Sequence, residues 1–312
     1  MQVVPDYYKE FRCIAGACRH SCCIGWEIDV DPDSLAFYEG VPGEFGRRLR
    51  AGISREGAPH FILGEGERCP FLNRENLCDL ILTLGEAHLC GICAEHPRFH
   101  NRLPGRVESG LGLCCEEAAR LILSRTTPVV LECRGEDDTD DPVVELRDEM
   151  IARLQDRRLP IPERVDGMLA LFGLPRPHAD LGRWADFLLG LERLDDAWGV
   201  LLQRLQKGWR TADYAGFDAY MQHRQTEYEQ FLVYLLYRHA ANAADGDDFA
   251  ARVRFAAFGH QLLRALGAVL WTEEGRFSFE QQAELARLFS SELEYSEENL
   301  DALLDELVWQ GA

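Results

Sequence analysis

The sequence of 312 residues contains no uninterrupted apolar run of the length that a membrane helix needs. Its longest candidate, residues 255–271, is interrupted by His260, Gln261 and Arg264. The first ten residues contain neither a basic nor an apolar stretch, so they do not match a secretory signal. These absences lead us to expect a protein that stays in the cytoplasm and does not bind a membrane.

Positive charge is also scarce. The chain has 33 basic and 53 acidic residues, a formal net charge of −20, and only Lys9 and Lys207 are lysines. Residues 136–312 carry 34 of the acidic residues but only 18 of the basic ones. Because such a surface repels phosphate backbones, we expect no nucleic-acid binding. The acidic surface either attracts a basic or lysine-bearing partner or simply keeps the protein in solution.

Cysteine is missing after residue 133, although 11 cysteines occur up to that point. Nothing in the sequence directs the chain to an oxidising compartment, so closely spaced thiols indicate metal ligands or a catalytic thiol rather than disulfides. The acidic run 136–141, which Pro142 follows, is typical of an exposed connector. We therefore predict a cysteine-rich metal-binding module over residues 1–135 and an acidic α-helical domain over residues 142–312.

Apolar residues at helical spacing run through the second of these domains. They predict helices at 143–155, 163–172, 181–192, 198–206, 228–241, 252–271, 280–288 and 299–309. The segment 228–241 is apolar nearly all round and is expected at the centre of the bundle, whereas 252–271 is predicted to bury one side. In the loop-rich module, a strand is predicted at 26–30 and a helix at 116–124. The predicted fold is mainly α, with a loop-rich cysteine-cluster metal module followed by an α-helical bundle.

The cysteines of the module fall into short groups. A Cys-x2-Cys turn such as Cys90–Cys93 brings two sulfurs within reach of one tetrahedral centre, in zinc and iron–sulfur sites alike. Buried, inert thiols do not usually occur at this local density, so we predict a metal site. Its expected ligands are Cys13, Cys18, Cys22, Cys23, Cys69, Cys78, Cys90, Cys93 and Cys115.

Spacing favours Cys18, Cys22, Cys90 and Cys93 over the other cysteines of this set. The adjacent pair Cys22–Cys23 has a further implication, because neighbouring side chains of an extended backbone point to opposite faces. The two sulfurs are therefore expected to serve different irons, different sites, or one ligand role and one packing role.

Histidines also lie among the cysteine groups. Ordinary packing or surface exposure is the expected role of each one, with metal ligation or a hydrogen bond to a cluster as the alternative. They are His20, His88, His96 and His100.

Several motifs together resemble the flagellin lysine N-methylases. They comprise Phe11-x-Cys13, Cys18-x3-Cys22-Cys23-x-Gly25-Trp26, Cys69-Pro-Phe-Leu72, Leu84-Gly85-Glu86, Cys90-x2-Cys93, Pro97-Arg98 and Cys115-x-Glu117-Ala118-Ala119. In the second half, residues 229–234 are similar to a core-helix segment of the family. The chain departs from the family pattern at Glu116, where proline is common, at Cys114 and Cys133, and in a shorter C-terminal part.

The resemblance implies methyl transfer from S-adenosylmethionine to the ε-amine of flagellin lysines, with a [4Fe–4S] cluster required and zinc as the alternative metal. It identifies no catalytic residue. Aromatic faces and carboxylates attract a sulfonium, which makes Trp26, Glu27, Asp29 and Asp31 candidates for holding the methyl donor. An ordinary strand with alternating exposed acids explains these four residues equally well.

Two other hypotheses remain open. In the first, the protein is not an enzyme: zinc or a cluster stabilises the module, and the acidic helices bind a partner. In the second, which is the weaker, the protein is a redox carrier. Binding of S-adenosylmethionine would separate the methyltransferase from both.

Overall fold

The computed structural model describes residues 1–135 and 141–309. About 59% of it is helical, which confirms the prediction of a mainly α protein. The predicted acidic connector lies outside the described residues except for Asp141. No helix in the described ranges is both long enough and apolar enough to cross a membrane.

The regular elements are short in the first third of the chain and longer in the rest. The strands are β1 (Gln2–Pro5), β2 (Ile53–Ser54), β3 (His60–Phe61), β4 (Arg98–Leu103), β5 (Arg106–Leu111) and β6 (Leu131–Arg134). The helices are α1 (Pro32–Gly40), α2 (Gly43–Ala51), α3 (Asp79–Leu84), α4 (Gly91–Glu95), α5 (Glu116–Leu123), α6 (Pro142–Leu154), α7 (Ile161–Ala170), α8 (Leu181–Leu189), α9 (Asp196–Gly208), α10 (Tyr214–Tyr220), α11 (Gln225–His239), α12 (Gly246–Glu274), α13 (Phe279–Phe289) and α14 (Glu297–Trp309).

The chain divides into two compact units. The cysteine unit is Arg12–Arg98, and the helical unit comprises Met1–Phe11 and the chain from Phe99 onward. This division differs from the predicted boundary at residues 134–142, which was based on cysteine content and charge. The difference arises because β1 runs parallel to β5 and antiparallel to β6, so that both the chain start and the segment up to β6 pack in the helical unit.

A four-stranded sheet in the helical unit has the order β4-β5-β1-β6. Gln2 pairs with Val107 on one side and with Arg134 on the other. The sequence analysis did not predict this sheet, because its strands are distant in sequence and β1 and β6 have only four residues each.

The cysteine unit has a small core. Its buried side chains include Tyr38, Leu49, Phe61 and Phe71, which α1, α2 and β3 help to supply. The strand predicted at 26–30 is absent: a single bridge joins Asp29 to His60. The predicted alternation is nevertheless correct, because Ile28 and Val30 are buried whereas Glu27 and Asp29 are exposed.

Helix α11 lies at the centre of the helical unit, as predicted, with residues 227–237 buried without interruption. The prediction that 252–271 buries only one side is wrong, because residues 253–260 are also buried all round. Small residues permit this close packing. A β-carbon on Gly259 would lie 2.9 Å from Leu235 and 3.0 Å from Phe231, so a larger residue would separate α11 from α12.

Side-chain caps explain where several helices of this unit begin. The carboxylates of Asp141, Asp180, Asp195 and Asp245 accept hydrogen bonds from the first backbone amides of α6, α8, α9 and α12. Ser278 forms a capping box with Gln281 at the start of α13. The eight helices predicted for this region are all present, as is the predicted helix at 116–124. Their bounds agree within about three residues, except that α12 begins six residues before the predicted 252. Helix α10 was not predicted.

Candidate metal centre

The Cys-x2-Cys turn of the cysteine unit is held in place at its helix start. Cys90 is the N-cap of α4, and Cys93 lies within that helix. Asp31 caps α1 through a bond from the Ser34 amide (2.9 Å), and its second oxygen accepts a hydrogen bond from the Gly91 amide at 2.8 Å. These amides lower the pKa of Asp31. One carboxylate therefore fixes two helix starts and orients the turn.

The thiols of Cys90 and Cys93 interact directly. A hydrogen bond from Cys93 lowers the pKa of Cys90, while the same bond and burial raise the pKa of Cys93. Tyr38 supports the segment just before this turn, since its hydroxyl donates to the His88 carbonyl at 2.7 Å. The turn thus has the two-sulfur arrangement that its spacing predicts.

Backbone pairing brings three more cysteines together. The Cys69 amide donates to the Cys23 carbonyl at 2.8 Å, and Cys78 forms a bridge with Leu72. Burial raises the pKa of Cys69 to about 12 and also raises that of Cys78. A hydrogen bond from Cys22 lowers the pKa of Cys23 to about 7. The Cys22 and Cys23 side chains therefore interact, with Cys22 exposed and Cys23 half-buried. Their separate roles stay a prediction.

These five thiols lie close enough to influence each other electrostatically. A charge on any of Cys23, Cys78 or Cys90 would raise the pKa of Cys69, and charges on Cys90, Cys23 and Cys69 act in the same way on Cys93. We call Cys23, Cys69, Cys78, Cys90 and Cys93 the thiol cluster. It draws on three of the groups that the sequence separates by up to 70 positions.

The thiol cluster has the donor chemistry of a zinc or iron–sulfur site, because thiolate sulfur binds both. Its sulfurs lie near one another, but they do not surround one centre as the ligands of a bound metal do. Within residues 1–135 and 141–309, no three His, Cys, Asp or Glu side chains already form a set arranged to hold a metal ion. The type of donor and its density thus fit such a metal, and the geometry of ligation stays a prediction.

The other predicted ligands occupy different surroundings. Cys13 and Cys22 are exposed, and the Cys18 thiol donates to the His20 carbonyl at 3.2 Å. Cys115 belongs to the helical unit, where it is the N-cap of α5. Of the four ligands that spacing favours, Cys90 and Cys93 belong to the thiol cluster, and Cys22 adjoins it through its bond to Cys23.

The residues suggested for the methyl donor have local partners. Glu27 lies 3.4 Å from the His60 imidazole, and the Trp26 indole donates to the Cys22 carbonyl at 2.7 Å. Asp31 is engaged in capping, as described above. These partners are structural ones, and a role in holding the methyl donor stays a prediction.

The histidines near the cysteines are also engaged in packing and hydrogen bonds. His88 stacks on Phe37 with ring centroids 4.2 Å apart, and burial lowers the pKa of His96 to about 4. His100 shares a 2.7 Å hydrogen bond with Ser109 in the helical unit. This pattern favours the expected packing role for these three.

A buried polar group in the helical unit was missed by the sequence analysis. The buried side chain of Glu294 accepts a hydrogen bond from Tyr234 (3.1 Å) and lies 2.6 Å from His239. The Arg238 guanidinium lies over the Tyr295 ring at 4.5 Å. Burial raises the pKa of Cys114, which contacts Tyr295, to about 12. The π-helical turn Ser290–Glu294 directs Glu294 inward, and a sequence pattern does not reveal such a turn.

Comparison with known proteins supports the resemblance that the sequence motifs indicate. The model of the FliB lysine N-methylase C-terminal domain matches residues 179–310, the half in which the motifs are faint. A lysine-N-methylase of Salmonella typhimurium is 30% identical over 128 residues, which cover 38% of this chain and 32% of that protein. The flagellar biosynthetic protein FliU of Salmonella muenchen is 29% identical over 128 residues, 75% of its length.

The aligned part thus spans about a third of the length of the lysine-N-methylase it matches. No solved structure matches the chain. The family model and the named relatives nevertheless point to the same group as the cysteine motifs. The chain is thus similar to lysine N-methylases, in its second half to their C-terminal domain.

Proposed function

We propose that the protein is a lysine N-methyltransferase that takes its methyl group from S-adenosylmethionine and acts on flagellin lysines. The proposal is supported by the matching family model over residues 179–310 and by relatives named lysine-N-methylase and flagellar biosynthetic protein. We propose also that the thiol cluster binds a [4Fe–4S] cluster. The gathering of five thiols in the cysteine unit is the observation that carries this second part.

The chemistry sets clear demands on the site. A carbon–nitrogen bond forms between the methyl group and the lysine Nζ while the carbon–sulfur bond breaks, and S-adenosylhomocysteine leaves. Only the neutral amine has a free electron pair, so its proton must go to a base or be lost in a pocket that lowers the lysine pKa. The acidic surface of the second half suits the approach of a lysine-bearing protein.

Among the residues of the proposed metal site, Cys69, Cys78, Cys90 and Cys93 are the best placed to act as ligands. Cys69 and Cys90 are buried and the other two are half-buried, which protects thiolate ligands from solvent. Asp31 would hold the Cys90–Cys93 turn through the Gly91 amide. A bound cluster would supply a rigid centre that ties the three chain segments together.

The test is methyl transfer by anaerobically purified protein. We expect flagellin incubated with S-adenosylmethionine to gain methyl groups on lysines, detected by mass spectrometry, and calorimetry to show donor binding. Cys90→Ser and Cys93→Ser should lose the metal, whereas Cys133→Ser, a matched change at an exposed thiol, should keep it. Absence of both donor binding and methylation would refute the enzyme, and unchanged iron in both Cys90→Ser and Cys93→Ser would refute the ligand assignment.

A non-enzymatic metalloprotein is the second candidate. It is favoured by the small core of the cysteine unit, which includes Cys69 and Cys90 among its buried side chains and would gain stability from any thiolate-bound metal. It predicts a colourless protein that contains zinc, has no broad absorption near about 400 nm, where thiolate-ligated clusters absorb, and does not bind the methyl donor.

A further inference from the structure

An open cleft lies beside the thiol cluster in the cysteine unit. Its volume is about 440 Å³, and Arg48, Arg68 and Arg74 line it together with Asn73, Asn76 and Asp79. The stretch that forms most of its wall, residues 68–79, also carries Cys69 and Cys78. We call it the arginine cleft.

The wall of the arginine cleft is held by its own hydrogen bonds. Asn73 accepts from the Glu75 and Leu77 amides at 3.0 and 2.9 Å, and its side-chain amide donates to Asp79 at 3.1 Å. Asp79 in turn binds Arg48 at 2.5 Å. A lining that is fixed before binding loses little conformational entropy when a ligand arrives.

Two of the three arginines retain hydrogen-bond donors for a ligand. Both side-chain bonds of Arg68, to the Asn73 carbonyl and to Asn76, leave from the same nitrogen, Nη2. Arg74 is exposed and has no hydrogen bond or ion pair with any residue of the described ranges. The guanidinium fork matches a carboxylate in geometry and charge, so these donors suit paired contacts with carboxylate oxygens.

The charge of the cleft lining is opposite in sign to the net charge of the chain. Its lining has three arginines against one aspartate, in a chain with a net charge of −20. A local positive field within an acidic surface attracts anions and disfavours cations. The same acidic surface repels a long phosphate backbone, so a nucleic acid is a poorer occupant than a peptide with a few carboxylates.

We infer that the arginine cleft binds the carboxylates of an acidic peptide segment of the protein substrate. An extended peptide suits it better than an enclosed small molecule, because the Arg48 side chain is 44% exposed and Arg74 and Asn76 lie at the surface. The inference rests on the proposed function in one respect only: that the substrate is a protein. Contacts in the cleft would fix the acidic part of the substrate, and the lysine would react elsewhere.

The test is fluorescence anisotropy with the full chain, purified anaerobically, and a labelled short peptide rich in glutamate. Its counterpart with glutamine in place of each glutamate is the control ligand. Arg74→Gln should weaken binding of the glutamate peptide on the order of tenfold, as expected for the loss of a charge-assisted pair, and Arg74→Glu should weaken it further. Arg47→Gln removes the same charge from a neighbouring exposed position that does not line the cleft, and should change binding less than about twofold.

Three results would overturn the inference. The first is equal affinity for the glutamate and glutamine peptides. The second is an equal loss in Arg74→Gln and Arg47→Gln, which would show non-specific charge attraction. The third is complete displacement of the peptide by an equal concentration of inorganic phosphate or of a short oligonucleotide. Since binding is measured without methyl transfer, failure here leaves the methyltransferase assay untouched, and failure of that assay leaves the binding result intact.

Discussion

The helical unit packs aromatic and aliphatic side chains in layers around α11 and α12, whereas the cysteine unit has eleven buried apolar side chains, two of them Cys69 and Cys90. The helical unit is stabilised by the apolar surface that its long helices bury against each other. The cysteine unit consists largely of loops between helices of five to nine residues, so it depends on specific polar contacts such as those of Asp31 and Asn73. The comparison teaches that one chain uses two sources of stability.

Metal removal should separate the two units most clearly. Because thiolate ligation acts as folding free energy, a chelator that strips the metal under anaerobic conditions should expose the amides of residues 12–98 to hydrogen exchange. The amides of α11 and α12 should stay protected. Unchanged exchange in residues 12–98 after verified metal loss would show that the small core suffices.

A core truncation should destabilise the helical unit, which metal removal leaves intact. Phe231 is fully buried against Phe289 and Gly259, so Phe231→Ala should lower the free energy of unfolding by about 3–5 kcal/mol. Val200→Ala, at an exposed position of α9, is the control and should cost less than about 0.5 kcal/mol. Urea unfolding followed by tryptophan fluorescence measures both, and a loss in Phe231→Ala no larger than that in Val200→Ala would contradict the assignment of α11 to the centre.

The buried histidines make the helical unit sensitive to acid. Burial lowers the pKa of His260 from 6.5 to about 3. Below about pH 6.5 the unfolded chain therefore binds a proton at His260 that the folded chain does not. Because this protonation favours the unfolded chain, the free energy of unfolding decreases as the pH falls. The loss from this group at pH 5 should be about 2 kcal/mol. His260→Gln should flatten the pH dependence between 7 and 5 by that amount, and an unchanged slope would contradict the burial.

The cap at Asp31 should have a smaller effect, confined to the cysteine unit. Asp31→Ala removes the acceptor for Ser34 and Gly91, and should cost about 1 kcal/mol of stability. We expect the variant also to lose metal to a chelator faster than the wild type. Asp33→Ala, in the exposed first turn of α1, is the matched control. Equal metal-loss rates in the two variants would contradict the claim that Asp31 holds the Cys90–Cys93 turn in place.

The smallest effect is expected at Cys133. This exposed thiol lies on β6 of the helical unit, so Cys133→Ser should leave metal content and the unfolding midpoint unchanged. Metal analysis and thermal unfolding check this. A fall in metal content would extend the site beyond the thiol cluster.

Helices and a central α11 could be predicted because their apolar spacing is a local signal, which Asp and Ser caps reinforce. The burial of most of α12 could not be predicted. Gly259 and Gly267 look neutral in sequence, yet they permit close packing with Phe231 and Phe217. The sheet escaped prediction since β1 pairs with strands more than 100 residues away.

The candidate site shows the same limit. The Cys90–Cys93 spacing alone predicts that two sulfurs meet. That Cys23 joins them depends on the hydrogen bond from the Cys69 amide to the Cys23 carbonyl, a contact between distant residues. Glu294 could not be recognised either, because its inward position follows from a π-helical turn.

Iron and acid-labile sulfide analysis of the anaerobically purified protein, combined with its visible spectrum, tests the central claim most directly. The account predicts roughly four iron and four sulfide per chain with broad absorption near about 400 nm, all lost in Cys90→Ser and kept in Cys133→Ser. A protein isolated without iron, or one that retains its iron in Cys90→Ser and Cys93→Ser, would contradict it.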